Sequence, residues 1–239
     1  MSKNGLRLGT VALGAAALVG LGSASAFGAT PSTQTLAGIQ AKAAAAITLR
    51  VNDLNAAISK VNGASHLGSS TASLVSYLQA DLAPLQALGT KIAGDTTVST
   101  AQADASTIFT SYRVLALVLP AAHLAATADA IDVTAIPNLT ALSAKAASHV
   151  TSANRATVQP LIDDLNAQIQ SATNATSGVA ATLLTYTPSQ WNANHDLLAP
   201  TVGSVKAAGN DITKARNDIQ QIRTILKSGT PSTTPTTVE

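Results

Sequence analysis

Apolar side chains recur along most of this chain every 3.5 to 3.6 residues, the spacing that gathers them on one face of an α-helix. The clearest series is Trp191, Leu198, Val205, Ile212, Ile219 and Leu226, at strict sevens. It predicts one long C-terminal helix carrying Trp191 and His195 on its core-facing side. Thr187-Pro188-Ser189-Gln190 marks the start of that helix. The threonine hydroxyl suits an N-cap, the proline needs no N–H in the first turn, and the glutamine can close a capping box. A second series is Val158, Leu161, Leu165, Ile169, Ala172, Thr176, Val179 and Leu183. A third is Ile47, Val51, Leu54, Ile58 and Val61, extending back through Ala43, Ile39 and Leu36. Each predicts a helix of roughly 25 residues, close to ~40 Å long.

Shorter elements fill the middle of the chain. Leu74, Leu78, Leu82, Leu85 and Leu88 lie in a span from Ser70 to Ile92 that only Pro84 interrupts, and Ser99-Thr100-Ala101-Gln102 reads as a capping box opening a helix toward Tyr112. Asn62-Gly63, Gly94-Asp95, Thr151 to Asn154 and Thr185 to Pro188 separate the helices by short connections, which makes neighbours antiparallel. Val114 to Pro120 has no amphipathic period, and no other segment offers it a strand partner. A fully buried helix end, or an extended crossing of the bundle, is expected there, with a helix from about Ala121. The expected fold class is all-α: an elongated, coiled-coil-like antiparallel helical bundle of about five to six long helices over residues 35–227. Two echoes, Val51 to Ile58 with Ile162 to Ile169 and Asp81 to Pro84 with Asp196 to Pro200, have nearly equal offsets. A duplicated pair of helices would give two similar helical halves with such offsets, and alanine-rich heptads also generate such matches by chance.

The ends of the chain differ from its middle. Lys3 and Arg7 precede an apolar run from Leu8 to Leu21, followed by Gly22-Ser23-Ala24-Ser25-Ala26. This is the order of a secretory signal peptide, residues 1–26, with cleavage expected after Ala26. The run is too short to span a membrane, and no second apolar span is expected further on, so the mature chain is read as having no transmembrane segment. Residues 27–34 read as a flexible lead-in. Residues 228–239, rich in Thr and Pro, read as a disordered tail suited to an extracellular linker and to O-glycosylation.

Composition sharpens this picture. The chain has 239 residues, no cysteine, 46% hydrophobic and 11% charged residues, and a formal net charge of +2. Alanine accounts for 48 positions, while Tyr, Phe and Trp number three, two and one. Such a core must be helical and closely packed, and disulfide scaffolds and thiolate metal sites are excluded. With Lys3 and Arg7 removed, the fourteen basic side chains become twelve, equal to the acidic ones. A neutral mature chain offers no basic stripe for nucleic acid and no polybasic patch for a membrane surface. Exposed positions carry Ser, Thr, Asn and Gln instead of Lys/Glu pairs, so packing rather than ion pairing must supply stability.

Tyr112-Arg113-Val114-Leu115-Ala116-Leu117-Val118-Leu119-Pro120 and Tyr186-Thr187-Pro188-Ser189-Gln190-Trp191-Asn192-Ala193-Asn194-His195, set among alanine-rich helices, resemble a group of uncharacterised secreted alanine-rich helical proteins of actinobacteria. The resemblance covers most of the mature chain and implies export and a helical build. It carries no activity with it.

Candidate chemistry is sparse. Glu239, in the tail, is the one glutamate; Asp163 and Asp164 are adjacent and point about 100° apart on a helix. Asp129 and Asp132 share a helix face and read as a solvated edge. His66, His123, His149 and His195 are isolated, without metal-ligand spacing. No nucleophile elbow or phosphate loop occurs. No catalytic residue, metal or cofactor is therefore assigned. The rare bulky residues Tyr112, Arg113, His123, Trp191 and His195 are the candidates for a ligand pocket, in which Tyr or His would ligate haem or Arg bind an anion. The competing reading is that they fill the wide end of an alanine-lined bundle. The expectation is an exported, non-enzymatic structural or interaction protein of the cell envelope or extracellular space, with a protein or cell-wall partner or self-association. The alternative is an extracellular carrier of haem or another hydrophobic ligand.

Overall fold

The computed structural model describes residues 34–68 and 70–228; the expected signal peptide, most of the lead-in and the tail beyond Ser228 lie outside the described residues. The fold is all-α, with no strand among the described residues. Its main pair is α7 (Arg155–Thr176) and α10 (Ala199–Ser228). They run antiparallel: the Ser171 hydroxyl donates to Asp211 at 2.7 Å, and two turns away Asp164 and Gln168 face Asp218. Val158, Ile162, Leu165 and Ala172 of α7 bury against Ala208, Ile212, Ala215, Ile219 and Ile222 of α10. Ala172, Ala208 and Ala215 have no exposed surface, so small side chains meet where the helices approach.

The other side of the fold is organised by α1 (Leu36–Asn62), which packs on α2 (Ser70–Gln79), α3 (Leu82–Ala93) and α4 (Val98–Thr110). Gln40 of α1 donates to the carbonyls of Ile92, Ala93 and Asp95, tying α1 to the end of α3 and the turn that follows it. The span from Ser70 to Ile92 breaks at Ala80 and Asp81, three residues before Pro84. At α4 the N-cap is Thr97, whose hydroxyl accepts from the Thr100 N–H at 3.2 Å, so this helix starts earlier than the Ser99 box suggested. The two sequence echoes occupy comparable positions. Leu54 and Leu165 are both fully buried in long helices, and the Asp81 and Asp196 segments both precede a helix antiparallel to that long one.

Val114–Val118 is a buried π turn that runs directly into α5 (Leu119–Ala130). A second π turn, Ile131–Ala135, joins α5 to α6 (Ile136–Ala147). The apolar run therefore begins a helix, which replaces the expected helix end or extended crossing. Prolines explain both turns. Pro120 and Pro137 each lie two residues beyond a π turn, lack the N–H an α-helix needs there, and crowd the carbonyl four residues back, at Ala116 and Val133. Widening the helix by one residue relieves both problems.

Two expectations need correction. The helical stretch Val98–Ala147 contains a window of mean hydropathy 1.8, long and apolar enough to cross a membrane, although no second apolar span was expected. Half of that window is buried inside the fold, as in a core helix. The expected C-terminal helix is also divided. Its first part is α9 (Pro188–Ala193), with the full Thr187/Gln190 capping box, and α10 starts only at Ala199. The Asn194 side chain accepts from the Asp196 N–H at 3.0 Å and stabilises the intervening turn. Leu198, Val205, Ile212 and Ile219 keep the buried face, whereas Trp191 is half-buried and His195 exposed. Similarly, α7 stops at Thr176 because Gly178 takes a left-handed φ of 71°, leaving Val179–Leu183 as the short α8.

Candidate functional site

The structure distributes the five candidate residues over two places. At the first, Arg113 is the one non-glycine residue with positive φ among the described residues, at 49°. This left-handed residue turns the chain from α4 into the first π turn. Its Nε donates to Asn192 Oδ1 at 2.7 Å, and Asn192 Nδ2 donates to the Thr110 carbonyl at 2.8 Å. Asn192 thus fastens α9 to the left-handed residue itself and to the end of α4 just before it, and joins the two motifs that are distinctive in the sequence. Trp191 meets His195 edge to face, with ring centroids 5.8 Å apart.

Asp81 lies in the electrostatic reach of Tyr77 and Tyr112. Burial pushes the Tyr77 phenol up to about 12, helped by Asp81, and its hydroxyl donates to the Tyr186 carbonyl at 3.4 Å. Burial also raises Tyr112, and raises the Asp81 carboxyl to about 6. A raised carboxyl means that the folded state takes up a proton between about pH 4 and 6, where the unfolded chain has already lost it. Stability should therefore fall as pH rises through that window. The expected change is roughly 1 kcal/mol, since partial exposure reduces the full equivalent of the shift. Urea unfolding at pH 4.5 and 7 checks this, and Asp81→Asn should remove that contribution.

His123 is elsewhere. Ten residues of continuous helix separate it from Arg113, a distance of ~15 Å. It lines a cleft of about 450 Å³ between α1, α2, the loop after α1 and α5. The walls are small. Ala56 and Ala57 of α1 face Ala122 and Ala126 of α5, with Leu78 and Leu119 among the apolar lining. Elsewhere alanines let helices close together; here they leave a gap. Asp53, Lys60 and His66 complete the lining.

Hydrogen bonds hold the loop that closes one end of this cleft. Asp129 of α5 accepts from the Gly68 N–H at 3.0 Å and from the Ser70 hydroxyl at 2.6 Å, anchoring the entry to α2. Thr134 donates to the His66 carbonyl at 3.1 Å. A Cβ on Gly68 would lie 3.1 Å from the Val133 side chain, so the loop passes close to the second π turn. Asp129 is buried and Asp132 accepts from the Thr176 hydroxyl, which corrects the reading of this pair as a solvated edge. On α1, three residues before Asp53, Arg50 is buried with its guanidinium 4.6 Å from the Phe109 ring centre, and it donates to the Ala46 carbonyl at 2.8 Å. Burial lowers the Arg50 pKa, opposed by the nearby Asp53.

His123 stands out in the sequence as a rare bulky residue, whereas Asp53, Lys60 and His66 carry no mark there of belonging with it. Leu119, Ala122, His123 and Ala126 recur at i, i+3, i+4 and i+7, and Asp53, Ala56, Ala57 and Lys60 do the same. Two such small-residue faces with charged edges were the available signal. Among the described residues, no three His, Asp or Glu side chains gather as metal ligands. No protein-family model, curated protein or solved structure matches the chain.

Proposed function

We propose that this is an exported, non-enzymatic structural or interaction protein of the cell envelope or extracellular space. The observation that carries the reading is the way the fold is stabilised. Long helices join through alanine and aliphatic faces, and their exposed sides are mostly neutral and polar. The ion pairs Lys91–Asp104 and Lys214–Asp211 lie at the surface, where solvent screening leaves them little net contribution. Such a bundle keeps its form with little dependence on charge, which suits a passive scaffold. The tripartite N-terminal sequence and the resemblance to secreted actinobacterial proteins support export. Fractionation of cells producing the full chain, with sequencing of the N-terminus, tests this. A chain beginning at Phe27 in the envelope or medium is expected, and a cytosolic chain retaining Met1 would overturn export.

The cleft favours a second reading, an extracellular carrier of haem or another hydrophobic small ligand. Its volume falls in the range of small-molecule sites, its walls are mainly apolar, and His66 and His123 supply imidazoles. A haem titration followed in the Soret region tests the haem version, which a flat response rejects.

A further inference from the structure

The cleft between α1 and α5 is charged unevenly along its length. Asp53 and Lys60 are seven residues apart on α1, so they share a face at a separation of ~10 Å. The apolar middle lies between them. Lys60 stands near the end of α1 that leads into the loop carrying His66. The Thr134 and Asp129 hydrogen bonds hold that loop toward the C-terminal end of α5, and the first π turn packs on α1 at the opposite end. Lys60 and His66 therefore provide nitrogen donors toward one end, Asp53 places a carboxylate toward the other, and His123, in the first half of α5, belongs to the wall of the cleft and not to the Lys60 end.

We propose that this cleft binds a single-chain amphiphile with an anionic head, of which a fatty-acid carboxylate is the simplest. The proposal rests on the carrier reading and names its ligand class. The alkyl chain would lie between the facing alanines, whose short side chains leave a slot between two helix faces. The head would accept hydrogen bonds from the Lys60 ammonium and from a His66 N–H, which are stronger for a charged acceptor than for a neutral one. Asp53 repels a carboxylate at the other end, so charge fixes the direction of the chain.

Equilibrium dialysis of the full chain against labelled dodecanoate, dodecanol and dodecyltrimethylammonium, each below its micelle concentration, tests the proposal. Dodecanoate should bind best, at least about tenfold better than the cation, as expected for one charge-assisted hydrogen bond gained. Lys60 and His66 are exposed, so K60Q and H66Q should fold normally, weaken dodecanoate binding and leave dodecanol unchanged. A bulky side chain in A57W should weaken every ligand that enters the cleft. Equal binding of dodecanoate and the cation, or full dodecanoate binding by the K60Q/H66Q double variant, overturns the anionic assignment. If dodecanol binds as well as dodecanoate and A57W blocks both, the carrier reading survives and this proposal fails. If none of the three binds, this proposal fails, and a positive haem titration would still keep the carrier reading.

Discussion

Leu165→Ala should lower folding stability by about 3 kcal/mol, read as a fall in the urea midpoint at unchanged slope. Leu165 is fully buried on α7 and belongs to the same core cluster as Ala208, Ile212 and Ala215 of α10. In a core built of large side chains, neighbours often lean into a new cavity and recover part of the loss. Alanine has no torsion with which to do so, and the neighbouring helix cannot move closer without displacing Val158, Ile162, Ile219 and Ile222, which are buried in the same cluster. The cost should therefore fall within the usual range for a buried leucine, roughly 2 to 5 kcal/mol, rather than below it. Truncation of half-buried Leu142 or Leu161 should cost less, because water already reaches part of each side chain.

Asp129→Ala is expected to cost about 2 to 3 kcal/mol by a different mechanism. Its carboxylate holds the Gly68 N–H and the Ser70 hydroxyl together, and both bonds are partly buried. Removing it leaves two donors without their acceptor, while the loss of a buried charge recovers some desolvation energy. Ser70→Ala removes one bond only and should cost about 1 kcal/mol. The damage should be local as well as global. Amide exchange at Gly68 should accelerate in Asp129→Ala more than exchange in α7 or α10, because the loop loses its anchor to α5. Ligand binding in the adjacent cleft should weaken with it.

The long helices were readable because their apolar faces repeat strictly. Ile39, Ala43, Ile47, Leu54 and Val61 are buried as the third series predicts, and Thr187 forms the capping box with Gln190. The errors came from local chemistry that a seven-residue period does not register. Gly178 ends α7 with a left-handed turn despite the continuing series through Val179 and Leu183. An Asn194 side-chain turn interrupts the helix that Trp191 and Leu198 suggested. Pro120 and Pro137 widen their helices instead of breaking them. The site was less legible than the fold. Joining Arg113 to Asn192, or His66 to His123, requires knowing which helices face one another, and alanine-rich faces give weak instructions about partners.

Alanine faces permit close helix approach, and this packing stabilises the bundle. Ala215→Leu tests it most directly, because Ala215 is fully buried in the cluster shared by α7 and α10. In a filled interface, the larger side chain must displace helix or neighbours, and equilibrium urea unfolding should show a loss of about 2 kcal/mol. A variant as stable as the parent, or more stable, would show that the interface had room for a leucine and would contradict the claim.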